Sequence, residues 1–228
     1  MTAIRYKGRR TLCAASTAGV GAMIAFILAA CSGGLHSDTP ATQVYVLRAA
    51  TRPRAEQHTN TSLHVGRPIG APGLNSDHIL LVQSDHRMGY YIASRWPADL
   101  PSVVEALTVD TLRASGAWSA VQDSSGAFSS DYLLQIVIRR FEADYSVSAA
   151  APEVHVVLDC TVGRRAGREI IDSFVAEGSA VAAANRLGDV VSAFETASNK
   201  ALDEIAVRAA EAVQTSQKVD TPVPSMTR

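Results

Sequence analysis

Three consecutive segments in the second half of the chain alternate apolar and polar side chains, which is the pattern of a β-strand with one buried face. They span residues 132–145, 154–162 and 169–178. The link between the last two, residues 163–167, is polar and bounded by glycines, as expected of a hairpin turn. Because strands joined by short links usually pair, we predict an antiparallel meander, and this constrains the fold more than any other feature.

Two other segments carry apolar residues at helical spacing. The first begins after Asp99 and Pro101 and stops at Gly116. The second starts at Asp189, the predicted N-cap, and keeps one apolar stripe as far as Ala209. Further strands are predicted near residues 44–47, 63–65, 78–83, 88–92 and 118–121. The pattern predicts an α+β fold in which two main helices pack on one face of an antiparallel sheet, as a two-layer sandwich.

The first 30 residues have the three parts of a bacterial export signal. A basic patch precedes an uncharged stretch, residues 11–30, that is most apolar near its end. The patch consists of Arg5, Lys7, Arg9 and Arg10. The stretch leads into Leu28, Ala29, Ala30 and Cys31, which resemble the lipobox of bacterial lipoproteins. This resemblance implies cleavage before Cys31 and attachment of diacylglycerol and an N-acyl lipid to that residue, with no other cofactor.

These features predict the organisation of the chain. We expect a cleaved signal at residues 1–30, a lipidated cysteine and tether at 31–42, a single domain at 43–214 and a disordered tail at 215–228. The alternative is a retained membrane span, since about 20 uncharged residues can cross a bilayer. The first half of the stretch is only weakly apolar, and Ser32, Gly33 and Gly34 follow it instead of a stop-transfer cluster. Both features favour cleavage.

Cysteine usage and charge narrow the classes of function. Cys13 leaves with the predicted signal and Cys31 carries lipid, so Cys160 is the remaining thiol. Its position on the apolar face of a strand predicts a buried, unreactive side chain. Of the 21 Lys and Arg residues, four lie in the signal, which leaves 17 against 22 Asp and Glu. This acidic balance gives no reason to expect a nucleic-acid partner.

No catalytic or metal-binding constellation stands out. The chain has no Gly-x-Ser-x-Gly elbow, no His-Glu-x-x-His helix and no P-loop. Its six histidines are scattered, and none has a second ligand at metal spacing. We therefore predict no catalytic residue and no metal. The arginines at 164, 165 and 168 fit two interpretations: contact with phosphate or an acidic partner, or a hairpin tip that is kept soluble.

An aromatic group directly before the first helix also fits two interpretations. It comprises Tyr90, Tyr91, Arg95 and Trp96. Tyrosine, tryptophan and arginine are enriched at protein interfaces, so these residues form a candidate partner surface. The alternative is that Trp96 packs the corner between strand and helix.

The order of motifs along the mature chain is similar to that of a known family. The motifs lie at residues 45–47, 78–82, 90–91, 95–96, 100–101, 116–118, 134–136 and 140–142. Together they resemble the ABC-type transport auxiliary lipoproteins, the PqiC/YmbA-like group, over nearly the whole mature chain. That family has no catalytic or ligand-contact motif, so only the lipidation site, Cys31, carries over.

The resemblance implies a structural role without enzymatic activity. The expected partners are an MCE (mammalian cell entry) domain protein and the subunits of an ABC transporter, which move lipids between the inner and outer membranes. Homo-oligomers are also expected, because a ring of like subunits forms in at least one case. Ser32 follows the lipidated cysteine where aspartate would signal inner-membrane retention, so we expect the periplasmic face of the outer membrane.

A second hypothesis is a periplasmic lipoprotein that itself binds an acyl chain or small apolar ligand. A two-layer sandwich can open a pocket between helix and sheet. The small side chains of Ala197, Ala201 and Ala209 either leave room for such a pocket or allow the helix to pack closely on the sheet.

Overall fold

A computed structural model describes residues 41–50, 58–148 and 150–220. The predicted signal, Cys31 and the tether as far as Pro40 lie outside these residues. The described part has nine strands and two α-helices. The strands are β1 (Gln43–Val44), β2 (Ser62–Val65), β3 (Ile69–Gly70), β4 (His78–Val82), β5 (Met88–Arg95), β6 (Ala120–Gln122), β7 (Tyr132–Asp144), β8 (Glu153–Arg164) and β9 (Glu169–Val181). The helices are α1 (Leu100–Ser115) and α2 (Leu187–Asp220).

The predicted meander is present. β7, β8 and β9 pair antiparallel along almost their full lengths, from Tyr132 opposite Arg164 to Glu153 opposite Val181. Buried and less buried residues alternate along β8, as the sequence pattern requires of a sheet with one covered face. A short 3₁₀ turn, Ala166–Arg168, joins β8 to β9, and Gly167 within it has a φ of 79°. Glycine reaches this left-handed conformation without steric cost.

The other edge of β7 is shared by three short strands placed end to end. β2, β3 and β4 each pair with it in parallel, while β5 joins β4 antiparallel. β6 then adds to β2 and β1 adds to β5, again in parallel. The sheet is therefore mixed, which corrects the expectation of an antiparallel sheet throughout. Parallel pairing needs long crossover connections, and α1 and the segments flanking β2 and β3 supply them.

Helix α1 has the limits that the sequence predicts. Asp99 precedes it with an extended backbone, Pro101 lies in its first turn, and it ends at Gly116, whose φ is 63°. The backbone N–H of Gly116 donates to the carbonyl of Arg113, an arrangement that satisfies one of the helix's terminal carbonyl groups.

Helix α2 is longer at both ends than the sequence predicts. It starts at Leu187, so Asp189 lies in the first turn, where its carboxylate accepts a hydrogen bond from Arg186 Nε at 2.8 Å. It also continues past Thr215 to Asp220, because Val213 is fully buried and Ser216 contacts Arg164 on the sheet. No helix among the described residues combines the length and the hydropathy needed to span a bilayer.

Both helices cover one face of the sheet, and the predicted α+β architecture with two helices is confirmed. Val104 of α1, Leu202 of α2 and Phe141 of β7 line the same small cavity between the layers. Aromatic rings join the layers beside it: Phe141 stacks on Phe194 at 5.1 Å between ring centroids, and Trp96 meets both rings edge-on. Such ring pairs add about 0.5–1.5 kcal/mol each beyond the burial of their area.

Helix α2 also protects the edge strand of the meander. Lys200 Nζ donates to the carbonyl of Ser179 at 2.7 Å, and the backbone N–H of Glu177 donates to Glu204 Oε2 at 3.3 Å. Both backbone groups belong to β9, which pairs on its other side with β8. Charged side chains that occupy the backbone of an edge strand oppose its pairing with another chain.

Candidate interaction surfaces

The structure divides the four residues of the candidate aromatic surface. Trp96 is only 1% exposed and packs edge-on against Phe141 at 6.0 Å and Phe194 at 5.4 Å. Its backbone N–H donates to the carbonyl of Asp77 at 2.7 Å. Trp96 is therefore a core residue at the strand-to-helix corner, as the packing alternative predicts, and it is not available to a partner.

Tyr91 also belongs to the structure of the domain, through hydrogen bonds of its hydroxyl group. Its hydroxyl lies 2.9 Å from that of Tyr145, which in turn donates to Asn185 Oδ1 at 2.7 Å. Half-burial and this hydroxyl partner raise the pKa of Tyr91 well above its ordinary value. The three side chains link β5, the end of β7 and the approach to α2.

Tyr90 and Arg95 remain on the surface and flank a bulge that the sequence does not reveal. On β4 only Ile79 separates the paired residues His78 and Leu80, whereas four residues separate Tyr90 from Arg95 on β5. Ile92 lies within the bulge and is 94% exposed. We name Tyr90, Ile92 and Arg95 the bulge surface.

The second exposed surface is the tip of the β8–β9 hairpin. We name residues 164–169, with Arg164, Arg165 and Arg168, the arginine hairpin. The backbone N–H of Arg165 donates to the carbonyl of Asp131 at 2.9 Å, and that of Arg168 donates to the carbonyl of Arg165 at 3.3 Å. The first bond holds the tip against the start of β7, so the positions of the arginine backbones are defined.

A depression of about 490 Å³ lies beside the arginine hairpin, on the sheet face opposite the helices. Leu133, Gly163 and Ile170 are direct neighbours across β7, β8 and β9. Gly163 has no side chain, so a hollow forms between the two aliphatic residues. A register shift after Val162 gives β9 one extra residue here, and Ile170 is 68% exposed.

At the centre of the sandwich the space between helices and sheet is nearly filled, whereas a cleft of about 530 Å³ lies farther along, between β9 and the last turns of α2. The cavity lined by Val104, Phe141 and Leu202 measures about 10 Å³, which is room for no more than one water molecule. Close by, Ala197 and Ala201 pack directly against Gly178 of β9. The alanines of α2 therefore allow close packing, and the cavity beside them has no room for an acyl chain.

The described residues include no metal-binding cluster and no exposed thiol. They contain no group of three or more His, Cys, Asp or Glu side chains placed to hold a metal ion. Cys160 is 1% exposed, as its strand position predicts, and burial raises the pKa of its thiol to about 12. A thiol with this pKa and no access to solvent is a poor nucleophile.

Sequence comparison then connects the domain to a family. The profile described as "ABC-type transport auxiliary lipoprotein component" matches residues 45–206, which is most of the described domain. The chain belongs to this family. The matched region runs from the residues just after β1 to the middle of α2, so it includes the whole sheet except β1, together with α1. Among curated proteins, none matches the chain.

Solved structures share the fold of this family member. Protein XCC0632 from Xanthomonas campestris, assigned to the family DUF330, superposes with a TM-score of 0.72 at 21% identity, over 77% of this chain and 99% of that one. The hypothetical protein CT253 from Chlamydia trachomatis gives a TM-score of 0.51 at 9% identity, over 69% of this chain and 99% of that one. At these identities the likeness concerns the fold alone.

Proposed function

We propose that the protein is the lipid-anchored auxiliary component of an MCE/ABC-type lipid transport system, in which it acts as a structural adaptor between the inner and outer membranes. The match to the auxiliary lipoprotein family over residues 45–206 carries this proposal. The partners would be an MCE-domain protein and the transporter subunits, and association with like subunits is compatible with the role.

The anchor of this adaptor is Cys31. Diacylglycerol and an N-acyl chain on this residue hold the protein at the membrane, since two or three chains anchor stably where one does not. Ser32 directs it to the periplasmic face of the outer membrane, because the aspartate that marks inner-membrane retention is not at this position. The domain then works through protein contacts.

Two observations favour an adaptor over an enzyme or a lipid binder. The cavity lined by Val104, Phe141 and Leu202, at about 10 Å³, leaves no space for an apolar ligand at the centre of the sandwich. The thiol of Cys160 is buried on the face of the sheet that the helices cover. Function is therefore assigned to the outer surfaces of the domain, of which the bulge surface and the arginine hairpin are the two described above.

A crosslinked pull-down from membranes, read by mass spectrometry, tests this function. The wild-type chain, Cys31→Ala and the matched cysteine control Cys160→Ala are compared at equal expression. We expect wild type and Cys160→Ala to recover an MCE-domain protein or transporter subunit, and Cys31→Ala to recover much less. Recovery of no such subunit in any sample would reject the adaptor role.

A further inference from the structure

The arginine hairpin carries positive charge that the other described residues do not neutralise. Arg164 is held by Glu169 at 3.7 Å and by Ser216. Arg165 and Arg168 are exposed, and among the described residues neither has a carboxylate within 4.0 Å. In a mature chain with more acidic than basic residues, two unneutralised arginines at one tip form a local exception.

An apolar hollow lies directly beside this charge. The depression of about 490 Å³ has Gly163 at its base and Leu133 and Ile170 as its walls, with Arg165 and Arg168 also lining it. Exposed aliphatic side chains around a hollow favour burial of an apolar group. Guanidinium groups bind carboxylates with paired hydrogen bonds. The combination suits a segment in which carboxylates alternate with aliphatic side chains.

The arginine hairpin and β1 lie at different levels of the sheet. Val44 of β1 pairs with Arg95, and Arg95 pairs with His78 of β4, which lies along the last part of β7. Arg164 pairs with Tyr132, the first residue of β7. At 3.3–3.4 Å per residue, eight residues of β7, or about 27 Å, separate the level of β1 from the hairpin. The start of the described domain at β1 thus lies far from the arginines.

From these observations we infer that the arginine hairpin is the docking site for an acidic, aliphatic-containing segment of a partner protein. The carboxylates of the segment contact Arg165 and Arg168, and one aliphatic side chain fills the hollow over Gly163. The identity of this partner as a transport subunit rests on the proposed function, whereas the chemistry of the docking site does not.

A synthetic peptide that alternates Glu and Leu tests the site directly. Its affinity for the full-length lipidated protein in detergent is measured by fluorescence anisotropy, beside a peptide that alternates Gln and Leu. The variant Arg165→Gln/Arg168→Gln removes two positive charges from the hairpin. Arg48→Glu changes the net charge by the same amount at an exposed arginine near the other end of the domain and is the matched control.

We expect the acidic peptide to bind wild type and Arg48→Glu alike and to bind the double variant about tenfold more weakly, because each exposed ion pair contributes up to about 1 kcal/mol. Added salt should reduce the difference in peptide affinity between wild type and the double variant, because it screens the ion pairs. Equal binding to all three proteins, or no binding of the acidic peptide, overturns the inference. So does arginine-dependent binding to phosphatidylglycerol vesicles without binding of the peptide, which would identify a lipid surface as the ligand.

The pull-down separates failure of this site from failure of the adaptor role. If the double variant recovers transport subunits as well as wild type does, the adaptor role stands and the arginine hairpin is rejected as the site that binds those subunits. If peptide binding depends on the arginines but wild type recovers no such subunit, the docking site stands and its partner belongs to another system.

Discussion

The carbonyl of Ala197 lies directly over Gly178, so that α2 and β9 meet backbone to backbone. A Cβ atom added at Gly178 would overlap the carbonyl oxygen of Ala197 and lie 3.1 Å from the backbone nitrogen of Ala201. Real Cβ atoms do not approach backbone this closely, and interiors packed to crystal density cannot absorb the overlap without moving the helix. The distance between helix and sheet is therefore set at this glycine.

Gly178→Ala should accordingly destabilise the domain by about 1–3 kcal/mol, the usual cost of overpacking a well-packed core. Gly188→Ala is the control, because a Cβ at that exposed helical position meets nothing within 4 Å. Urea unfolding followed by circular dichroism measures both. If Gly178→Ala is as stable as the control, the close approach of α2 to β9 is not present in solution.

The stabilities of two variants, Trp96→Ala and Tyr90→Ala, should distinguish a core residue from a surface residue. Trp96→Ala should cost about 3–5 kcal/mol, because it removes the ring that contacts both Phe141 and Phe194. Tyr90→Ala should cost less than about 1 kcal/mol, since 45% of the residue is exposed. The same unfolding experiment applies, and similar losses for the two variants would contradict the assignment of Trp96 alone to the core.

Cys160 should resist alkylation in the folded protein. With the pKa of its thiol raised to about 12, only roughly 10⁻⁴ of it is thiolate at pH 8. Maleimide labelling, read by mass spectrometry of the peptide that contains Cys160, should be at least about a thousandfold slower in buffer than in guanidinium chloride. Rapid labelling in buffer would show that β8 opens to solvent.

Asp131 should contribute an acid-sensitive part of the stability. The backbone N–H and the hydroxyl of Ser62 both donate to its carboxylate at 2.7 Å, and the backbone bond is the main cause of its lowered pKa. A carboxyl whose pKa is lower when folded stabilises the fold above its unfolded pKa, and this contribution is lost as the pH falls through the folded pKa. The loss should therefore begin near the ordinary value of 3.8 and continue below it.

Asp131→Asn tests this link between β2 and β7. At pH 6 we expect a loss below about 1 kcal/mol, because the carboxylate is exposed and screened. At pH 3 the difference between the variant and wild type should be smaller, because part of the carboxylate's contribution has been lost. Thermal unfolding at both pH values gives the comparison, with the exposed carboxylate of Asp110 replaced by Asn as the control. A constant difference between pH 6 and pH 3 would exclude titration of Asp131 as the cause.

Local patterns predicted the parts of the fold that depend on neighbouring residues. The limits of α1 follow from Asp99, Pro101 and Gly116, and the meander follows from alternation in three adjacent segments. Parallel pairing of β2, β3 and β4 with β7 could not be read in the same way. It depends on which distant segment reaches the free edge of β7, and the two paired residues of β3 are too few to leave a periodic signal.

The same holds for the two surfaces: local sequence predicts some of their residues, and the rest depend on how distant strands pair. The sequence singles out the arginines of the hairpin, but their use depends on the hollow between Leu133 and Ile170, which exists only once three strands are in register. Ile92 was missed because a bulge of four residues opposite Ile79 leaves no mark on the sequence. For Trp96 the sequence leaves two interpretations, a partner surface and packing of the corner between strand and helix, and its 1% exposure agrees with packing.

The sharing of one β7 edge among three short strands has a consequence for the order of folding. The segments that contain β2, β3 and β4 have no stable place in the sheet until β7 is available, whereas β7, β8 and β9 form through local contacts that close quickly. Because synthesis proceeds from the N-terminus, residues 41–95 are present before that edge exists. Their apolar strands remain unpaired until the second half of the chain has been made, and during this interval the protein is most exposed to aggregation.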